Sequence, residues 1–384
     1  MKKIYLDHVA TTYVGAEVLQ TMMPYLTTQF GDSASLHSFG NEAERAVSHA
    51  REQVAKAIGA EAEEIYFTSG ATEANYWIIN GMVRGSSSRR ALVSKIEHPS
   101  IIDACRQLEK EGYKIEYIDV NSEGIIIVSD LLAKLAKPAA LVSVLTASGE
   151  IGTIQYINTI ANLCHERGVP FHTDATHGIG NIQIDVVGMK IDALTISSHV
   201  LYGPRGIGAL YLRKGLRLDK STFGGSSEAS NKASTQNVPA IVGLGMAVAI
   251  TMRDAGFNNA RIKTLREYMI NQILARIGHA YLNGHRTQRI SSNVNISFAG
   301  AHGEGILTGL DRAGIAVSTG SACANPTGRP SHILVAIGVA HQLCQSSVRF
   351  SIGRSTTKEE IDTVVSELQH VVERLRKISV IRPK

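Results

Sequence analysis

Short β-branched or apolar runs recur through the first half of this chain, with helix-length stretches interposed, and this alternation most limits the possible fold. "EIYFTSG" (64–70), "ALVSKIEH" (91–98), "ALVSVLTAS" (140–148), "VPFHTDA" (169–175), "ALTISSH" (193–199) and "GIGALYL" (206–212) have strand length. "AERAVSHAREQVAKAIG" (43–59) and "IIDACRQLEKEG" (101–112) carry apolar residues at helical spacing. The combination predicts a largely parallel sheet covered by helices on both faces. Ligands of open α/β sheets sit beyond the carboxyl ends of the strands. "TSGATE", "IEH", "HTDATH" and "SSHV" all fall there.

The second half reads differently. "GFNNARIKTLREYMINQILARIG" (256–278) is a long helical stretch leading to a further unit. That unit contains "SSNVNISFAG", the loop "VSTGSACANPTGRPSH" and a closing helix over 357–377, whose Thr357 and Glu360 have capping-box spacing. The expected division is a large α/β domain over 16–255 and a smaller α+β domain formed by 1–15 and 256–384.

Composition excludes several classes. An apolar fraction of 44% with 19% charged residues argues for a soluble globular chain over a disordered one. The longest apolar run, 240–250, falls short of the roughly 20 residues a membrane span needs, so no membrane association is expected. A net charge of +5 without a Lys/Arg block argues against direct nucleic-acid binding. Cys105, Cys164, Cys323 and Cys344 form no CxxC pair and no metal-ligand spacing, and the start "MKKIYLDHVATT" has no apolar signal-like core. A cytoplasmic location follows as the expectation.

Each candidate residue alone has a plainer reading. Asp174 after a strand is more often a helix N-cap than a cofactor ligand, and His98 or His199 a structural histidine. Cys323 alone is more often a buried thiol than a nucleophile. The ordered set changes this. "YLDHVATT", "FGDSASLHSFG" (30–40), "FTSGATEAN" (67–75), "IEHPS" (96–100), "GEIGTIQ" (149–155), "HTDATHGIGNIQIDV" (172–186), "SSHVLYGPRGIGALY", "STGSACANPTG" and "SSVRFSIGRSTTKEEID" (346–362) span nearly the whole chain. In this order they resemble the NifS/IscS-type cysteine desulfurases, class V aminotransferases with the fold type I of pyridoxal-phosphate (PLP) enzymes.

The resemblance implies roles position by position. Gly70, Ala71 and Thr72 would open a helix whose free N–H groups suit the PLP phosphate. Ser197, His199 and, from the second subunit of a homodimer, Thr235 would complete the phosphate cup. His98 would stack on the pyridine ring and act in catalysis, and Asp174 would keep the ring nitrogen protonated. His177 would lie near the phenolic oxygen. Arg349 would hold the carboxylate of L-cysteine, and Cys323 would carry the sulfur as a persulfide.

The chain also departs from the family. A lysine that forms the Schiff base and moves protons at the substrate α-carbon is replaced by Val200. Losing a general base alone costs about 10²–10⁴-fold, and Arg205 is no substitute because it stays protonated. Gly149 stands where the family has Asn, His177 where it has Gln, and Lys232 where an arginine is usual. The expectation is a protein of sulfur mobilisation and iron–sulfur cluster assembly with little intrinsic desulfurase activity. PLP would be held noncovalently, and Cys323 would serve as persulfide carrier or as a shared ligand of a transient iron–sulfur cluster. The partner would be an iron–sulfur scaffold protein or another sulfur acceptor. The alternative is an active PLP-dependent desulfurase supplying sulfur for clusters or nucleic-acid thiolation.

Overall fold

A computed structural model of the chain describes residues 3–216, 218, 235–320 and 330–379. Strand β1 (Ile4–Tyr5) precedes helices α1 (Ala16–Thr27) and α2 (Ser38–Ile58). The α/β alternation then runs through β2 (Ile65–Thr68), α3 (Ala71–Gly85), β3 (Arg90–Ser94), α4 (Pro99–Lys110), β4 (Lys114–Ile118) and α5 (Val128–Lys134). It continues with β5 (Leu141–Ser143), α6 (Ile157–Glu166), β6 (Phe171–Asp174), β7 (Ala193–Ser197) and β8 (Gly208–Leu212). These strands form one seven-stranded sheet in the order β2-β8-β7-β6-β5-β3-β4. β8 alone runs against its neighbours, pairing antiparallel with β2 and β7.

Both faces of this sheet are buried, which explains the unbroken apolar runs. Alternate side chains serve different cores: Leu92 of β3 joins one, Ala91 and Val93 the other. Tyr211 and Ala209 of β8 enter the first, Leu210 and Leu212 the second. β4 is absent from the sequence expectation. Its residues "KIEYI" sit at the sheet edge with only Ile118 fully buried, so the run carries too much polarity to read as a core strand.

After β8 the chain enters α7 (Val238–Arg276), a single 39-residue helix. The sequence suggests an apolar run and a separate linking helix here; the structure joins them. The apolar N-terminal part of α7 is buried in the large core, through Ile241, Leu244 and Val248, while Ile262, Met269 and Ile273 join a second core. That burial accounts for its membrane-like hydropathy. The second core is framed by β9 (Ala280–Leu282), β10 (Asn293–Phe298), α8 (Gly303–Arg312), β11 (Ile315–Ala316), β12 (Ser347–Ser351) and α11 (Lys358–Ile378), while α9 (His332–Ala336) and α10 (His341–Cys344) pack into the large core. Around the second core, β12-β10-β9 form an antiparallel sheet, and β1 returns from the N-terminus to pair with β11.

Helix α11 starts as its sequence predicts. The Thr357 hydroxyl accepts from the Glu360 N–H at 3.2 Å, and the Glu360 carboxylate accepts from the Thr357 N–H at 3.1 Å. Replacing Thr357 with Ala is expected to cost about 1 kcal/mol, read as a lowered urea midpoint with an unchanged m-value.

Candidate active site

The carboxyl ends of β2, β3, β6 and β7 open into one cavity of about 1270 Å³, closed on the far side by Ser318, Thr319 and Arg349. The β2–α3 turn forms one wall. Gly70 has φ +148°, a conformation that favours glycine, and a Cβ at Gly208 would fall 2.9 Å from the Gly70 backbone. The missing side chain at Gly208 lets β8 lie directly against the start of α3. No side chain caps this helix, so the first N–H groups, at Ala71 and Thr72, face the cavity.

Asp174, at the end of β6, is the cavity's buried charge. Asn75 of α3 donates to its Oδ2 at 2.8 Å and the Thr176 N–H to its Oδ1 at 2.9 Å. Burial disfavours ionisation, but the nearby His98 and these hydrogen bonds outweigh it and hold the carboxyl below its usual range. Neighbouring Glu97 goes the other way. It is fully buried, and desolvation together with the Asp174 charge pushes it well above the ordinary carboxylate range. Sequence reasoning passed over both Asn75 and Glu97, although they lie inside the quoted "TSGATEAN" and "IEHPS". Nothing in one sequence separates Asn75 from helix filler or Glu97 from an ordinary turn residue.

His98 is the N-cap of α4; its Nδ1 accepts from the Ser100 N–H at 3.2 Å, and the ring is exposed to the cavity. Ser197 ends β7, and His199 lies two residues beyond it. Burial lowers the His199 pKa, and Arg205 adds to the effect. Arg349, on β12, bridges Asp7 at 2.9 Å through Nη2, while its Nε is buried without a partner. Glu150 sits beside it with its pKa raised by burial to about 7.

Val200 lines the cavity in a tightly pinned turn. Tyr202, two residues on, has φ +61°, uncommon for a bulky side chain. Its N–H donates to Thr12 Oγ1 at 2.9 Å, its hydroxyl accepts from the Arg354 N–H at 2.7 Å, and Arg354 stacks 4.3 Å over its ring. Among the described residues lining the cavity there is no lysine. Ala71, Thr72, His98, Asp174, His177, Ser197, His199, Val200 and Arg349 are thus brought together. Thr235 is exposed and lies outside its own chain's cavity. Cys323 and Lys232 lie outside the described residues; Gly320 and Pro330, on either side of the Cys323 segment, both line the cavity.

An uncapped helix start, an ionised acid at the base and a nearby guanidinium suit a phosphate, a protonated pyridine nitrogen and a carboxylate. The residues present therefore fit PLP, apart from a lysine anchor. Fold and cavity together define a PLP-type transferase of fold type I. The class V aminotransferase model matches residues 4–364, and the chain belongs to that family, within which its relatives are cysteine desulfurases. It is 42% identical to "Cysteine desulfurase IscS" of Clostridium botulinum over 382 residues, covering 98% of this chain and 96% of that one. It is 40% identical to the protein of that name from Methanosarcina thermophila over 385 residues, covering 100% and 95%. A solved NifS-like protein superposes with a TM-score of 0.91 at 28% identity, over 97% of this chain and 100% of the other. Membership in this family implies dependence on PLP.

Three histidines are held neutral at this end of the sheet or below it. Burial lowers His8, His172 and His177 to about 4. Such groups take up protons on unfolding once the pH falls below about 6.5, the unfolded value. Stability should therefore fall between about pH 6.5 and 4, by up to about 1.4 kcal/mol per pH unit for each. His172, fully buried between Ser143 and Thr195, gives the sharpest check. In urea titrations, His172→Gln should lower stability at pH 7 and flatten the slope between pH 6.5 and 5.

Proposed function

We propose that this chain is a PLP-binding protein of sulfur mobilisation and iron–sulfur cluster assembly, with weak intrinsic L-cysteine desulfurase turnover. In this reading Cys323 carries sulfur as a persulfide or lends its thiolate to a cluster forming on a partner. The observation that carries it is a cavity suited to PLP whose described wall holds Val200 and no lysine, while both flanks of the Cys323 segment open into it.

PLP, when bound, supplies an electron sink for a substrate amino acid. The chain's own residues do the rest. Asp174 keeps a proton on the ring nitrogen, and its burial prevents water from competing for that charge. The N–H groups of Ala71 and Thr72, with Ser197 and His199, hold the phosphate; Thr235 would reach it from the second subunit of a homodimer. His98 stacks against the ring. Arg349 has donors beyond those engaged by Asp7 and takes the carboxylate of L-cysteine. With Val200 in place, PLP is held noncovalently. The sulfur acceptor is an iron–sulfur scaffold or another sulfur-accepting protein of the cytoplasm. The second reading, an active desulfurase supplying sulfur for clusters or nucleic-acid thiolation, is supported by the names of the relatives.

Visible spectra with added PLP, followed by L-cysteine and a sulfide assay, separate the two. The wild type is expected to show no protein Schiff-base band and little sulfide. Val200→Lys should gain the band and raise sulfide production by about 10²–10⁴-fold. A band and rapid sulfide release from the wild type would establish the second reading instead. Cys323→Ser should abolish sulfur delivery to an acceptor; continued delivery would show that the loop has another task.

A further inference from the structure

In the sequence Gly149 and His177 are two separate departures. In the structure they are one. A Cβ at position 149 would fall 2.6 Å from Cδ2 of His177 and closer still to Nε2. Any residue but glycine at 149 would push the imidazole from where it stands. The loss of a side chain at one position is what admits a ring from the other.

The ring so admitted differs from the other histidines of the cavity. His98 is occupied at Nδ1 by the Ser100 N–H, His332 by the Glu97 carbonyl at 2.9 Å, and His199 by the Ala10 backbone. For His177 only the backbone carbonyl is engaged, by Asn181 at 3.2 Å, and the ring has no hydrogen-bond partner among the described residues. It lies near Asp174 and Arg349 and borders the main cavity beside Val200. It also borders a smaller chamber of about 100 Å³ behind Val200. Asn181, Asn259 and Ser291 line that chamber, together with His8, whose Nδ1 is buried without a partner. These polar groups and the unsatisfied buried nitrogen suit it to ordered water.

We propose that His177 is the proton-transfer residue of this cavity, accepting the α-proton of an amino acid bound through PLP in place of the lysine that Val200 replaces. The proposal rests on the reading that the cavity takes PLP and an amino acid. In the step, the C–H bond at the substrate α-carbon breaks and an N–H bond forms on the imidazole. The electron pair stays with the substrate carbon and is drawn toward the cofactor ring. Exchange of the imidazole proton with water in the rear chamber, followed by its return to the carbon, closes the cycle without oxidant or reductant. Burial keeps the imidazole neutral at pH 7, with a pKa of about 4, and so able to accept a proton. A base this weak works more slowly than one poised near the operating pH, so α-proton exchange is expected to be measurable but slow.

The test uses the full-length protein with PLP and L-alanine, which has no sulfur to lose, in deuterium oxide. Loss of the α-proton signal gives the exchange rate, cofactor fluorescence gives PLP affinity, and the ¹⁵N shifts of the His177 ring report its surroundings. The wild type should exchange faster than free PLP, and PLP with L-alanine should move the His177 resonances. His177→Gln should slow exchange by about 100-fold or more while still binding PLP. Gly149→Ala should do the same by displacing the ring, and should add nothing when combined with His177→Gln. Exchange that persists in His177→Gln with PLP bound would overturn the assignment alone. Failure of the wild type to bind PLP would overturn the PLP reading and this inference together.

Discussion

A carboxylate kept ionised inside the fold sets the terms for everything around it. Asp174 can carry its charge only because Asn75, the Thr176 N–H and His98 stand against the cost of burial. These partners come from α3, from the turn after β6 and from the start of α4, so the charge fixes how three elements meet. It also determines the state of its neighbour. Burial and the Asp174 charge push Glu97 well above the ordinary carboxylate range; its carboxyl accepts from the Leu145 N–H at 2.6 Å, and its Oε2 has no partner. Asp174 thus supplies a buried negative charge at the base of the cavity, and Arg349 a guanidinium on its far side.

What the sequence exposed follows from how each feature is encoded. Strands buried on both faces announce themselves through runs such as "ALTIS", and six of the seven strands of the large sheet were legible for that reason. The capping box at Thr357 is written in two residues at fixed spacing and was equally plain. β4 was not legible, because an edge strand tolerates Lys114 and Glu116. Nor was the unity of α7, because its apolar and polar halves have different surroundings and so different compositions. At the site, motif order brought the cofactor-facing residues together on paper. It could not show that Gly149 and His177 share one volume, since steric exclusion between residues 28 apart leaves no trace in a single chain.

Val200 acquires its meaning from the turn that holds it. The backbone there is constrained by Tyr202 in a left-handed conformation, by Thr12 from the N-terminal segment and by Arg354 from the turn before α11. Val200 is half-buried, packed against the large core on one side and facing the cavity on the other.

Helix α7 has a consequence of another kind. At about 1.5 Å per residue its 39 residues extend about 58 Å, with Ile241 and Leu244 anchored in one core and Met269 and Ile273 in another. A single hydrogen-bonded ladder belongs to both halves of the molecule. Neither half can melt without stripping the helix from its own core and fraying the ladder toward the other, so the thermodynamic unit of this chain is larger than either core, and the architectural boundary between them need not be a seam in its cooperativity.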